Sequence, residues 1–98
     1  MNDQSGLAAM KRMWPRPHIG QSVKLKNGKI AEVVTVTKAR DVLKSMTEMH
    51  AMLLGPKCQA LYGMHWLDIY YEAVVMVPGT MMQQTITPVD VEEIVETS

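Results

Sequence analysis

The stretch Gly20 to Val34, GQSVKLKNGKIAEVV, constrains the fold more than any other part of the chain. Asn27-Gly28 between two strand-like runs is the strongest short hairpin signal, because a two-residue type I′ turn needs positive φ at both central positions. On the first run, Val23 and Leu25 share one face and Lys24 and Lys26 the other. Ile30 to Thr37 is rich in β-branched residues and reads as the return strand. A two-residue turn sets Leu25 opposite Ile30 but Val23 opposite Glu32, an awkward pairing that calls for a bulge or strong bend near Ala31.

The period then changes. Ala39, Val42, Leu43, Met46, Met49, His50 and Leu53 recur at the spacing of one helix face, which predicts a helix over about 39–54. Thr37 is placed as its N-cap and Gly55-Pro56 as its stop. Beyond it the chain reads as strands again: a short one at Cys58 to Tyr62, a long one from His65 to Val77, a Pro78-Gly79 turn, and a return from Thr80 to Thr87. Thr87-Pro88-Val89-Asp90 suggests a tight or 3-10 turn leading into a last strand, Val91 to Glu96. Residues 1–17 form an N-terminal arm with a short helical turn, ended by Trp14-Pro15-Arg16-Pro17 because residues before proline avoid the helical region. So short a helix is ordered only if Leu7, Met10 and Trp14 dock on something. Ninety-eight residues fit one domain, here 18–98 plus the arm.

With GQSVKLKNGKIAEVV at one end and TPVDVEEIV at the other, the chain resembles the small SH3-like β-barrels, including the KOW and Tudor-like kinds. The resemblance implies a mainly β, antiparallel barrel, with the 39–54 helix as an insertion; the alternative is an α+β fold with that helix packed on an antiparallel sheet. Such barrels host nucleic-acid, peptide and assembly functions alike, so the fold assigns none of them.

Charge is segregated. The chain is neutral overall, but all ten Lys and Arg lie in the first 57 residues, which carry +6, and the remaining 41 carry −6. Lys11, Arg12, Arg16, Lys24, Lys26 and Lys29 span nineteen positions without an acid and are the candidate nucleic-acid contacts, with Trp14 or a tyrosine for stacking. Set against this are the near-neutral pI of about 6.8 and two bland readings. Lysines shield edge strands, and a basic strand can lie beside an acidic one within one fold.

Catalytic chemistry is not legible. Cys58, His18, His50 and His65 lack zinc spacing, and His50 reads as a partly buried, hydrogen-bonded helix residue. Cys58 reads as a small buried hydrophobe rather than a nucleophile. Asp68 and Glu72, placed on one strand, stand about 13 Å apart, too far for an acid–base pair. The expectation is therefore a non-enzymatic protein with no metal, cofactor or small-molecule substrate. A lone cysteine, no leader-like N-terminus and no apolar run long enough to span a bilayer point to the cytoplasm.

Protein binding is the leading functional expectation. Trp14, Trp66, Tyr70, Tyr71, Met81 and Met82 are the candidate interface residues, because strand neighbours face opposite sides and one of each adjacent pair must point away from the core. The ten methionines in a chain without phenylalanine read first as core filler; as a second reading, Met46, Met49, Met52, Met76, Met81 and Met82 form an adaptable binding face. The readings are thus a protein-binding or assembly module, possible self-association included, a nucleic-acid-binding module using the hairpin, and an inhibitory or structural component of a phage or mobile element.

Overall fold

A computed structural model describes residues 3–95. The elements in order are α1 (Asp3–Met13), β1 (Ser22–Leu25), β2 (Ile30–Lys38), α2 (Ala39–Lys44), α3 (Glu48–Tyr62), α4 (Trp66–Ile69), β3 (Tyr71–Met76), β4 (Gln83–Ile86), a 3-10 turn (Pro88–Asp90) and β5 (Val91–Val95). The strands form one antiparallel sheet in the order β4-β3-β2-β1-β5. Among the described residues β4 and β5 do not pair, so the sheet is open and the fold is α+β. Glu96, expected in the last strand, lies outside the described residues.

The hairpin forms with a three-residue loop rather than the expected two-residue turn. Gly28 N–H donates to the Leu25 carbonyl at 2.8 Å, Leu25 N–H donates to the Lys29 carbonyl at 2.8 Å, and among the described residues none other than glycine has positive φ. A type I′ turn is therefore excluded; the geometry is a type I-like turn followed by Gly28 at φ 89°. Asn27 acts through its side chain, whose Oδ1 accepts the Lys29 N–H at 2.9 Å. The extra loop residue puts Val23 opposite Ala31 and removes the clash with Glu32, so no bulge is needed at Ala31.

The bulges lie elsewhere, and each acts as a switch of parity. Val34 is the extra residue in β2 against β3: Ala31 and Val33 face inward before it, Val36 after it. Glu92 plays the same part in β5 against β1, so that Val91 packs inward opposite Leu25 and Ile94 opposite Val23. Each bulge also sharpens the local twist. The resulting core consists of strand residues alone: Val23, Leu25, Ala31, Val33, Tyr71, Ala73, Val75 and Ile86, all at most 2% exposed. Val36, Val77, Val91 and Ile94 pack against this core, half-buried.

The helices build a second core around Ala39, Val42, Cys58, Tyr62, Ile69 and Tyr70. Tyr62 is its hub, with Trp14 edge-on at 5.1 Å between ring centroids and Tyr70 at 5.8 Å. Met10 and Trp14 pack against this core, and the helix of the arm runs eleven residues, Asp3–Met13, rather than the short turn expected. The predicted 39–54 helix is two helices. Lys38 rather than Thr37 precedes α2, and Ser45 ends it, its Oγ donating to the Val42 carbonyl at 2.8 Å. Thr47 then caps α3 by accepting the His50 N–H at 3.3 Å.

Helix α3 runs through Gly55-Pro56, which was expected to stop it. An interior proline costs about 3 kcal/mol by removing a hydrogen bond and crowding the preceding turn. Here Leu54, Cys58 and Tyr62, at helical spacing on both sides of the proline, keep one face packed into the core. The actual stop is Gly63 at φ 86°, whose N–H donates to the Gln59 carbonyl at 2.9 Å. The expected strand at Cys58 to Tyr62 is therefore helix. The first part of the expected long strand is likewise α4, which places Asp68 on a helix and Glu72 on β3.

Candidate interaction surfaces

The six expected interface residues divide into three groups. Tyr70 and Tyr71 are 5% and 0% exposed, so neither ring points away from the protein. The rule that strand neighbours face opposite sides holds, but both sides are interior: Tyr70 enters the helical core and Tyr71 the sheet core. Trp14 and Trp66 are half-buried against the helical core. Met81 and Met82, 94% and 77% exposed, lie on the β3–β4 connection. That connection is held by Thr80, whose Oγ1 donates to the Val77 carbonyl at 2.9 Å.

A further exposed apolar surface lies on α3, whose Met49 and Met52 the sequence suggested only as part of a wider methionine face and whose Leu53 it placed inward. The break at Ser45 to Thr47 rephases α3 relative to α2, so Met49, His50 and Leu53, expected inward, face outward instead. Met49, Met52 and Leu53 are 71%, 69% and 67% exposed and border an open groove with Glu48. At 100° per residue, Met49, Leu53, Pro56 and Ala60 fall on the side of α3 directly opposite Leu54, Cys58 and Tyr62. The helix is thus apolar on both faces, with polar Glu48, His50, Lys57 and Gln59 confined to its flanks. An all-round apolar helix is ordinarily buried all round. The signal was present in the sequence: Ser-Met-Thr before Glu48 is a helix-start pattern that fixes the phase.

The basic residues form two groups instead of one. Lys24 lies across from Glu93 on β5 and pairs with Glu92 at 3.4 Å, so part of the charge segregation cancels inside the fold. Lys26 and Lys29 are exposed at the hairpin end. Lys11 and Arg16 sit at the far end of β2, on the order of 30 Å of strand away, where they line a cleft of about 390 Å³ with Lys38, Arg40 and Lys44. Arg12 is exposed in the last turn of α1.

Burial pushes the Cys58 thiol above its ordinary value, with neighbouring Lys57 opposing and Glu72 adding to the rise. It lines a small cavity of about 90 Å³ with Leu54, Tyr62, Tyr70 and Thr87. Burial also raises Tyr62, and it raises Tyr70 further with help from Glu72, whose Oε2 accepts the Tyr70 hydroxyl at 3.1 Å. Tyr71 is raised by burial, and its hydroxyl has no hydrogen-bond partner. His50 is exposed rather than partly buried, and its backbone N–H makes the helix cap. Among the described residues no three His, Cys, Asp or Glu side chains converge as metal ligands would, and no helix is long and apolar enough to cross a membrane. Comparison with protein-family models, curated proteins and solved structures found nothing that matches this chain.

Proposed function

We propose that the protein is a non-catalytic binding module that self-associates through the outward face of α3. The observation that carries this is the exposure of Met49, Met52 and Leu53 on a helix whose opposite face is already in the core. Contiguous exposed apolar surface marks contact sites, and methionine adapts to the surface it meets. A second copy is the occupant favoured by charge. The flanks hold one acid, Glu48, and one base, Lys57, so two such faces meet without strong like-charge repulsion. The raised Cys58 thiol in its closed surroundings supports the non-catalytic part.

The SH3-like barrel belongs to the same proposal. It is supported by the core of strand residues, the pairing of β5 with β1, and the 3-10 turn that feeds β5. The test is sedimentation across concentration. Wild-type protein is expected to shift from monomer to dimer within the micromolar range, and Met49→Lys with Leu53→Lys to stay monomeric. A wild-type protein that remains monomeric at the highest soluble concentration overturns the proposal.

A further inference from the structure

We infer that the cleft between the end of α1, the β2–α2 junction and α4 is a binding site for the phosphodiester backbone of a single-stranded nucleic acid. The inference is independent of the α3 face. Three elements deliver its cations: Lys11 and Arg16 flank the end of α1, Lys38 ends β2, and Arg40 and Lys44 lie one turn apart on α2. Against these five stand two carboxylates, Asp41 and Asp68, a net charge of +3. Among the described residues the only ion pair in the cleft joins Lys44 and Asp41 at 4.0 Å, and both are well exposed. An exposed pair of that length is worth little and leaves Lys44 able to turn to another anion. Folding has thus gathered positive charge from separate parts of the sequence and left it unneutralised.

A second feature points to nucleic acid among the polyanions. An adjoining cavity of about 100 Å³ shares Lys11, Arg16 and Asp68 with the cleft, and Trp14 forms part of its wall. The half-buried indole is fixed against Tyr62, so a base stacking on its free surface orders no new side chain. A basic groove beside a rigid aromatic is the arrangement that holds single strands without reading their sequence. Duplex DNA fits less well, because major-groove readers insert a projecting helix or ribbon, and this site is a concave cleft walled by α1, α2 and α4. The site differs from the one the sequence suggested: it keeps Lys11 and Arg16, replaces the three hairpin lysines by Lys38, Arg40 and Lys44, and retains Trp14.

The experiment is fluorescence anisotropy of a labelled, mixed-sequence DNA oligonucleotide, with the matching duplex and poly-glutamate as competitors. Five phosphate contacts give a log–log salt slope of about −3.5 for a single strand. The variant Lys38→Gln/Arg40→Gln/Lys44→Gln, made at exposed positions, is expected to bind at least about tenfold more weakly at moderate salt and to flatten the slope by about 2. Lys26→Gln/Lys29→Gln should leave affinity within about twofold. Trp14→Leu should weaken oligonucleotide binding by roughly fivefold or more while leaving the slope unchanged. Three results overturn the inference: no single-strand binding at low salt, loss of binding in the hairpin variant but not the cleft variant, or competition by duplex or poly-glutamate as strong as by unlabelled single strand.

Discussion

The sheet and the helical layer solve burial differently. The sheet core is drawn from strand residues, and two bulges switch which residues of β2 and β5 face it. The helical layer buries one face of α3 and leaves an equally apolar face outside. The sheet core is filled from both flanks by strand residues, whereas α3 carries Met49, Met52 and Leu53 exposed on the side away from its core.

The comparison is broken most forcefully at the hub of the helical core. Tyr62→Ala removes the ring against which Trp14 and Tyr70 pack, and should cost about 3–5 kcal/mol in urea denaturation. Ile86→Ala on the sheet side, also fully buried, should cost about 2–5 kcal/mol. If either change costs less than about 1 kcal/mol, that core does not hold its layer together.

Alkaline titration sharpens the difference between groups at the two cores. Cys58 and the three tyrosines are raised in the folded state, so the folded protein holds protons that the unfolded chain releases. Stability is then fully present below the ordinary values of about 9 for the thiol and 10 for the phenols and is lost as pH rises past them. Tm measured against pH should be level through neutrality and fall above about pH 9; a level Tm to pH 11 contradicts the burial described.

Smaller effects test the two faces directly. Tyr71→Phe deletes a buried hydroxyl that has no partner, and should be neutral or stabilise by about 1 kcal/mol. Gly55→Ala puts a methyl at ordinary contact distance, 3.8 Å, from Trp66 Cζ2 in a helix interior, and should stabilise by up to about 1 kcal/mol. Met49→Lys and Leu53→Lys should each change monomer stability by less than about 0.5 kcal/mol. A larger loss would mean that these side chains support the fold rather than face a partner.

Much of the sheet was legible because period-two alternation and Asn-Gly are local signals. Val23 and Leu25 share the inward face as their alternation suggests, whereas on the return strand Ala31 is buried and Ile30, expected opposite Leu25, is exposed. The turn type was not, because Gly28 alone adopts positive φ and Asn27 contributes a side-chain hydrogen bond instead. Helix α3 was half legible: Gly55-Pro56 is a strong local stop, overridden here by the packing of Leu54, Cys58 and Tyr62, contacts that only the folded chain supplies. The candidate surfaces were the least legible. Tyr70-Tyr71 has two interiors to enter, which no single-core reading anticipates, and the basic cleft joins Lys11 to Lys44 across 33 positions of sequence.

The parity switch at Val34 makes the number of residues, as well as their identity, part of what specifies this protein. An unbulged ladder, with Val34 itself paired to Val74, would carry Thr35 and Thr37 inward and Val36 outward, so the one extra residue is what keeps both Val33 and Val36 on the core side. Such a ladder would also rotate the point at which Lys38 hands the chain to α2, and with it the wall of the basic cleft. A one-residue change of length among Thr80 to Met82 alters only the connection between β3 and β4. Length variation among relatives of this chain should accordingly collect in the β3–β4 loop and avoid the middle of β2.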